Sequence, residues 1–263
     1  MRGGLRPNPN VSARFALVTA FIFIGSAVVG FPPSASAAGA PPLDQQLAAR
    51  GIHDPRVLEA FRRVRRDAFV PNGASEREFD DQPLHVGYGQ TISQPLLVAR
   101  MAELLELKPE SRVLAIGTGS GYQAAILAEL AREVFTVEVI PELATTARLR
   151  LTREGYQNVH VRLGEGSQGW REYAPYDAVV VTAVMPRVPS DVVEQLSDGG
   201  VLVMAVGPAR GRQVLIRGVK KGLALHAHEI AELRPAPSGA VDDERRVREG
   251  QAPRRPDESR SDR

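Results

Sequence analysis

The chain has 263 residues, 43% hydrophobic and 24% charged, enough for one substantial core. Its 33 Lys and Arg oppose 31 Asp and Glu, and removing Arg2, Arg6 and Arg14 with the acid-free first 37 residues leaves 30 against 31. That balance argues against a general nucleic-acid surface, which needs a clustered basic excess. The absence of cysteine excludes disulfides, thiol catalysis and cysteine zinc sites.

In chain order, the three arginines precede the apolar run Phe15 to Gly30, and Ala35, Ser36 and Ala37 form an A-x-A cleavage site. This predicts a secretory signal peptide over 1–37 and export to the periplasm. The 16 residues of that run fall short of the roughly 20 that span a bilayer, so no stable membrane insertion is expected after cleavage. A translation start beyond the apolar run would instead leave a cytoplasmic protein.

Leu43 to Val70 predicts two short amphipathic helices split at Gly51, with Asp54 before Pro55 as a helix start. The arginines between Arg62 and Arg66 are expected on a solvated helix face. GQTISQP, Gly89 to Pro95, then precedes the amphipathic run Leu96 to Leu107. From Arg112 onward, apolar strands at Val113–Ile116, Val134–Val139, Val159–Leu163, Ala178–Thr182 and Val201–Val206 alternate with helices at Tyr122–Ala131, Pro141–Glu154 and Val188–Leu196. The alternation predicts an α/β fold, a mostly parallel sheet with helices on both faces. Gln213–Val219 and Leu223–Ile230 read as a closing antiparallel hairpin. The single globular domain is expected over 38–237, with its N-terminal helical extension, and 238–263 as a disordered charged tail.

The strand Val113 to Ile116 breaks into Gly117, Gly119 and Gly121 and then opens a helix. Only glycine allows so tight a turn and so close a backbone approach to a ligand. Glu138, 17 residues after Gly121, falls at the tip of the next strand, where a carboxylate can accept both ribose hydroxyls. Tyr122 stands where a dinucleotide fingerprint needs its last glycine, so G-x-G-x-G suits S-adenosylmethionine better than NAD. No phosphate-cradling P-loop occurs, and the plain alternative is a turn between strand and helix.

GQTISQP, IGTGSGYQ, the acid at Glu138, the segment Gly164 to Gly169 and DAVVVTAVMPRVP from Asp177 to Pro189 together resemble the protein-L-isoaspartate O-methyltransferases. The resemblance runs from about Leu43 to about Pro235. It implies a Rossmann-like class I methyltransferase that moves a methyl group from S-adenosylmethionine to the α-carboxylate of isoaspartyl residues in damaged proteins, a repair step through a methyl ester and a succinimide. Carried onto this chain, it implies cofactor contacts from Gly117, Gly119, Gly121, Glu138 and Glu165. Acceptor contacts follow from Thr91, Ile92 and Asp81, with Ser93 holding the acceptor carboxylate by its hydroxyl. From the residues alone Ser93 reads first as the N-cap of the helix after it, a role that can coexist with carboxylate binding.

The family usually has an acid where Ala115 stands, proline at His85 and aspartate at Glu165. Trp170 and Tyr173 read as packing residues, and His226 and His228 as a solvated strand face, so no metal is expected. The chain is expected to be a monomer. The alternatives are a methyltransferase for another carboxylate acceptor and an exported cofactor-binding protein without activity.

Overall fold

The computed structural model describes residues 41–70, 84–87, 90–208 and 211–234, with the backbone of 28–29; for 84–87, 90–91 and 234 it likewise describes the backbone alone. The predicted signal peptide other than 28–29, Asp81 and the predicted tail lie outside the described residues.

A two-residue strand, β1 (Val28–Val29), comes first, followed by α1 (Leu43–Ala49) and α2 (Pro55–Arg63). Asp54 caps α2 as expected, its carboxylate accepting from Arg56 N at 2.8 Å ahead of Pro55. Val57, Ala60 and Phe61, spaced to share one face, are buried. The chain then leaves the helix: Val64 is extended (φ −75, ψ 113), and a 3-10 turn covers Arg66–Phe69.

This corrects one expectation. Arg62, Arg63 and Arg65 are exposed, but Arg66 is 3% exposed. Because the helix stops at Arg63, helical spacing no longer governs Arg66, and the tighter turn carries it inward with Phe69.

The strands β2 (Leu84–Gly87) and β3 (Gln90–Ile92) form a separate antiparallel pair, and α3 (Pro95–Leu104) follows. Next come β4 (Arg112–Ile116), α4 (Tyr122–Ala128), β5 (Glu133–Glu138), α5 (Pro141–Arg153), β6 (Val159–Leu163), β7 (Tyr176–Met185), α6 (Ser190–Glu194), β8 (Leu196–Val206), β9 (Gln213–Lys221) and β10 (Ala224–Arg234). The sheet order is β1-β10-β9-β8-β7-β4-β5-β6. β6, β5, β4, β7 and β8 run parallel, whereas β9, β10 and β1 are antiparallel additions. The predicted helix at Val188–Leu196 shrinks to α6, because Leu196 already pairs with Tyr176 and opens β8.

Strand alternation divides the core into two layers. Val113 and Ala115 of β4 face the layer containing α1 to α4, while Leu114 and Ile116 face Phe135, Tyr176 and Val192. Phe135 meets Trp170 and Tyr173 at 5.8 and 4.7 Å between ring centroids, which makes both of them packing residues. The chain builds β4, β5 and β6 outward in one direction, then returns to place β7 on the other side of β4. The carboxyl ends of β4 and β7 therefore flank a topological switch point, the place where open α/β sheets bind ligands.

Candidate functional site

Gly117, Gly119 and Gly121 follow β4 with φ values of +93, +55 and +95, a region costly for residues with a Cβ. Space adds a second requirement at Gly117, where a Cβ would lie 2.4 Å from Thr182 Oγ1. That hydroxyl is in use: it donates toward Ile116 O (3.0 Å) and Gly117 O (2.9 Å), tying the end of β7 to the start of the loop. Gly121 serves a different purpose. It N-caps α4 and packs its Cα side against Leu151 and Phe69.

Glu138 ends β5 and is 4% exposed. Its Oε2 accepts from Gly119 N at 2.8 Å, and its Oε1 accepts from Val139 N and Ile140 N at 3.0 Å each. A carboxylate offers about four lone-pair sites, so about one remains open to a ribose hydroxyl. That is one hydroxyl fewer than the two expected of this carboxylate, because the Gly119 N–H uses one lone-pair site to hold the loop.

The loop gains a further tie from Thr118 Oγ1, 2.8 Å from Thr136 Oγ1 on β5 in the buried interior. Ala115, where the family usually carries an acid, is 1% exposed and packs in the apolar layer. Glu138, Thr136 and Thr182 brace the loop from three sides without it.

Glu165 lies on the same edge. Gly164 N donates to Glu138 O at 2.8 Å, and Glu165 Oε1 accepts from Ser167 N and Ser167 Oγ at 3.3 Å each. The half-buried carboxylate thus N-caps the short turn Gly166–Gln168 beside the tip of β5.

Across from the loop stand Ile92 and Ser93. A cavity of about 30 Å³ is lined by these two, Val98, the loop from Gly117 to Ser120, Tyr122, Gln123 and Thr182. Ile92 is 4% exposed and belongs to the apolar layer, and Ser93 is half-buried. The structure corrects the capping alternative for Ser93: with Pro95 at the first helical position, the N-cap is Gln94, whose side chain makes no capping hydrogen bond. The Thr91 backbone lies in β3, opposite His85, whereas its side chain and Asp81 lie outside the description.

Arg66 and Gln123, neither of them an expected site residue, also belong to this wall. Arg66 Nη2 donates to Ser93 O at 3.2 Å, and its guanidinium lies 4.8 Å from the centroid of the Tyr122 ring. Tyr122 itself is 1% exposed and held by Phe61 and Phe69, with ring centroids 6.0 and 5.9 Å away. Gln123 is buried beside it. The available signal for Arg66 was Val64 and Phe69, apolar residues on either side of it that interrupt the polar run.

Among the described residues no group of three or more His, Cys, Asp or Glu is placed to hold a metal ion. His226 and His228 are exposed on β10, as expected of a solvated face.

A glycine loop at the switch point, an acid at the next strand tip and an antiparallel end to a parallel sheet define a Rossmann-like class I methyltransferase. The chain belongs to the protein-L-isoaspartate(D-aspartate) O-methyltransferase family, whose model matches residues 42–234. A protein-L-isoaspartate O-methyltransferase of a Picosynechococcus species is 58% identical over 163 residues, 62% of this chain and 73% of that relative. A solved structure of a protein-L-isoaspartate O-methyltransferase superposes with a TM-score of 0.69 at 28% identity, covering 73% of this chain and 63% of that one. A Plasmodium falciparum chain, crystallised with S-adenosyl-L-homocysteine, gives a TM-score of 0.63 at 23% identity over 73% of this chain and 94% of its own; at that identity the likeness concerns the fold.

Proposed function

We propose that this chain transfers a methyl group from S-adenosylmethionine to the α-carboxylate of L-isoaspartyl residues in damaged proteins. The observation that carries the proposal is the cavity between the glycine loop and Ser93, which faces a cofactor-binding edge on one side and the family's acceptor segment on the other. The residues fit the cofactor. Glu138 keeps a lone-pair site for a ribose hydroxyl, Gly119 leaves backbone open to close approach, and Glu165 lies beside the same strand tip.

When bound, the cofactor supplies an electrophilic methyl on a sulfonium. The chain has little acid–base work to do, because a carboxyl with a pKa near 4 is already ionised at neutral pH. Its contribution is placement. Ser93 Oγ–H donates to the acceptor carboxylate, and Arg66 fixes the Ser93 main chain through its carbonyl. Burial of the surrounding wall keeps water from the reacting groups. Such alignment lowers a barrier by up to roughly 7–11 kcal/mol in favourable intramolecular cases.

The test is incubation with labelled S-adenosylmethionine and two peptides differing only in isoaspartyl or aspartyl linkage. Base-labile label on the isoaspartyl peptide alone is the expected result. Transfer to neither peptide, despite cofactor binding, sinks the proposal.

Export and a monomeric state complete the reading. Export rests on the arginines, apolar run and A-x-A site of residues 1–37. It predicts an endogenous protein beginning at Ala38, which N-terminal mass analysis reads directly. Processing there also removes β1, whose Val28 and Val29 pair with Arg234 and Leu233. No described helix is long and apolar enough to cross a membrane.

A further inference from the structure

Gln123, the second residue of α4, is only 8% exposed and lines the cavity with Ser93, Ser120 and Thr182. Its Nε2 has no hydrogen-bond partner among the described residues. Buried donors in folded proteins are nearly always paired, because leaving one unpaired forfeits its hydration with no return. The neighbouring polar groups of the cleft are paired within the chain: Thr118 with Thr136, Thr182 with the loop carbonyls, Glu138 with three backbone N–H groups. Gln213 also has an unpartnered atom, but that atom is an acceptor, on β9, and its amide nitrogen already donates to Pro208 O.

A neutral amide N–H suits an oxygen acceptor and does not itself titrate. Both reactants of methyl transfer to an isoaspartyl residue bring a carboxylate to this cleft: one at the methionine end of the cofactor, the other on the acceptor. We propose that Gln123 Nε2 donates a hydrogen bond to a carboxylate oxygen of a bound reactant, making Gln123 a binding residue opposite Ser93. This inference rests on the methyl-transfer reading above.

The test uses Gln123→Leu, which keeps the bulk and removes the donor, and Gln123→Glu, which keeps the shape and opposes a carboxylate. S-adenosylhomocysteine is titrated calorimetrically, and KM is measured for the isoaspartyl peptide. In the leucine variant one of the two affinities should fall about ten- to hundredfold, as for hydrogen bonds to charged groups. The unliganded Tm should hold or rise, because an orphaned donor has gone.

A weaker cofactor Kd assigns the methionine end; a raised KM at unchanged cofactor Kd assigns the acceptor. The glutamate variant should lose more at pH 8 and recover as acid neutralises its side chain. Unchanged Kd and KM overturn the inference and leave a trapped water as the donor's partner. Equal losses for both reactants that acid does not relieve also overturn it, since they mark a purely structural role. A wild-type chain that binds S-adenosylhomocysteine yet methylates neither peptide overturns the repair reading alone, and the cofactor titration then decides for or against Gln123.

Discussion

On the cofactor side of the cleft, polar groups bond to one another before anything arrives. Glu138 holds three N–H groups, Thr182 holds the loop carbonyls, and Thr118 holds Thr136. Around the rest of the cleft, Ser93 is fixed through its main chain by Arg66, and Gln123 keeps an unused donor. One wall is a finished scaffold that a ligand completes at a single carboxylate; the other holds its hydrogen bonds in reserve. Damage to the first should therefore cost folding and cofactor together, and loss of the Ser93 hydroxyl should cost the acceptor alone.

The largest effect is expected from Gly117→Ala. The new Cβ would meet Thr182 Oγ1 at 2.4 Å in a backbone of φ +93, so the loop must move and the Thr182 ties must break. Left-handed strain and a lost hydrogen bond together predict about 2–3 kcal/mol of destabilisation. Denaturant unfolding should register it, along with a loss of S-adenosylhomocysteine binding. A variant that keeps wild-type stability would break the picture of a braced loop.

Next comes Glu138→Gln, which keeps the shape but replaces one oxygen with an NH2 group facing backbone donors. Hydrogen bonds to a charged partner are worth about 1.5–3 kcal/mol. Cofactor affinity should fall by at least about tenfold in calorimetry. Unchanged affinity would remove Glu138 from the cofactor site and leave it as a loop brace only.

Ser93→Ala should do less, and only on the other wall. If its hydroxyl holds the acceptor carboxylate, KM for an isoaspartyl peptide rises about tenfold. Cofactor Kd and Tm stay where they were, since Gln94, not Ser93, is the cap of α3. A drop in Tm with KM unchanged would return Ser93 to a structural role.

The same contrast governs what could be read from the sequence. Gly117, Gly119 and Glu138 were legible because backbone conformation and strand spacing dictate residue type and position there. Arg66 was not, because the helical repeat was carried past Arg63, where the chain turns extended at Val64 and then tightens. Gln123 lay inside a quoted motif, yet nothing in a sequence says whether a buried amide finds a partner. Ser93 was ambiguous until the start of α3 at Pro95 assigned the cap to Gln94. The order of the strands was implied only generally: alternation predicts a parallel sheet, but the return that sets β7 beside β4, and hence the cleft, depends on long-range pairing such as Leu114 with Val179.

The smallest effect belongs to a residue on neither wall. Asp54 caps α2, and its carboxyl sits below the ordinary aspartate value: burial pushes it up, but hydrogen bonds and charge from Arg56 outweigh that and pull it down. A carboxyl with a depressed folded pKa stabilises the fold at pH above its unfolded value, near 3.9, and loses that contribution as pH falls toward the folded one. Asp54→Ala should thus cost about 1 kcal/mol at pH 7, typical of a lost cap. The gap between variant and wild type should narrow progressively below about pH 4. Because Asp54 lies at the far end of α2 from Phe61, which packs against Tyr122, cofactor Kd and peptide KM should not move. If either does, the helical layer is coupled to the acceptor wall through Tyr122 and Arg66, and the two walls are less independent than their hydrogen bonding implies.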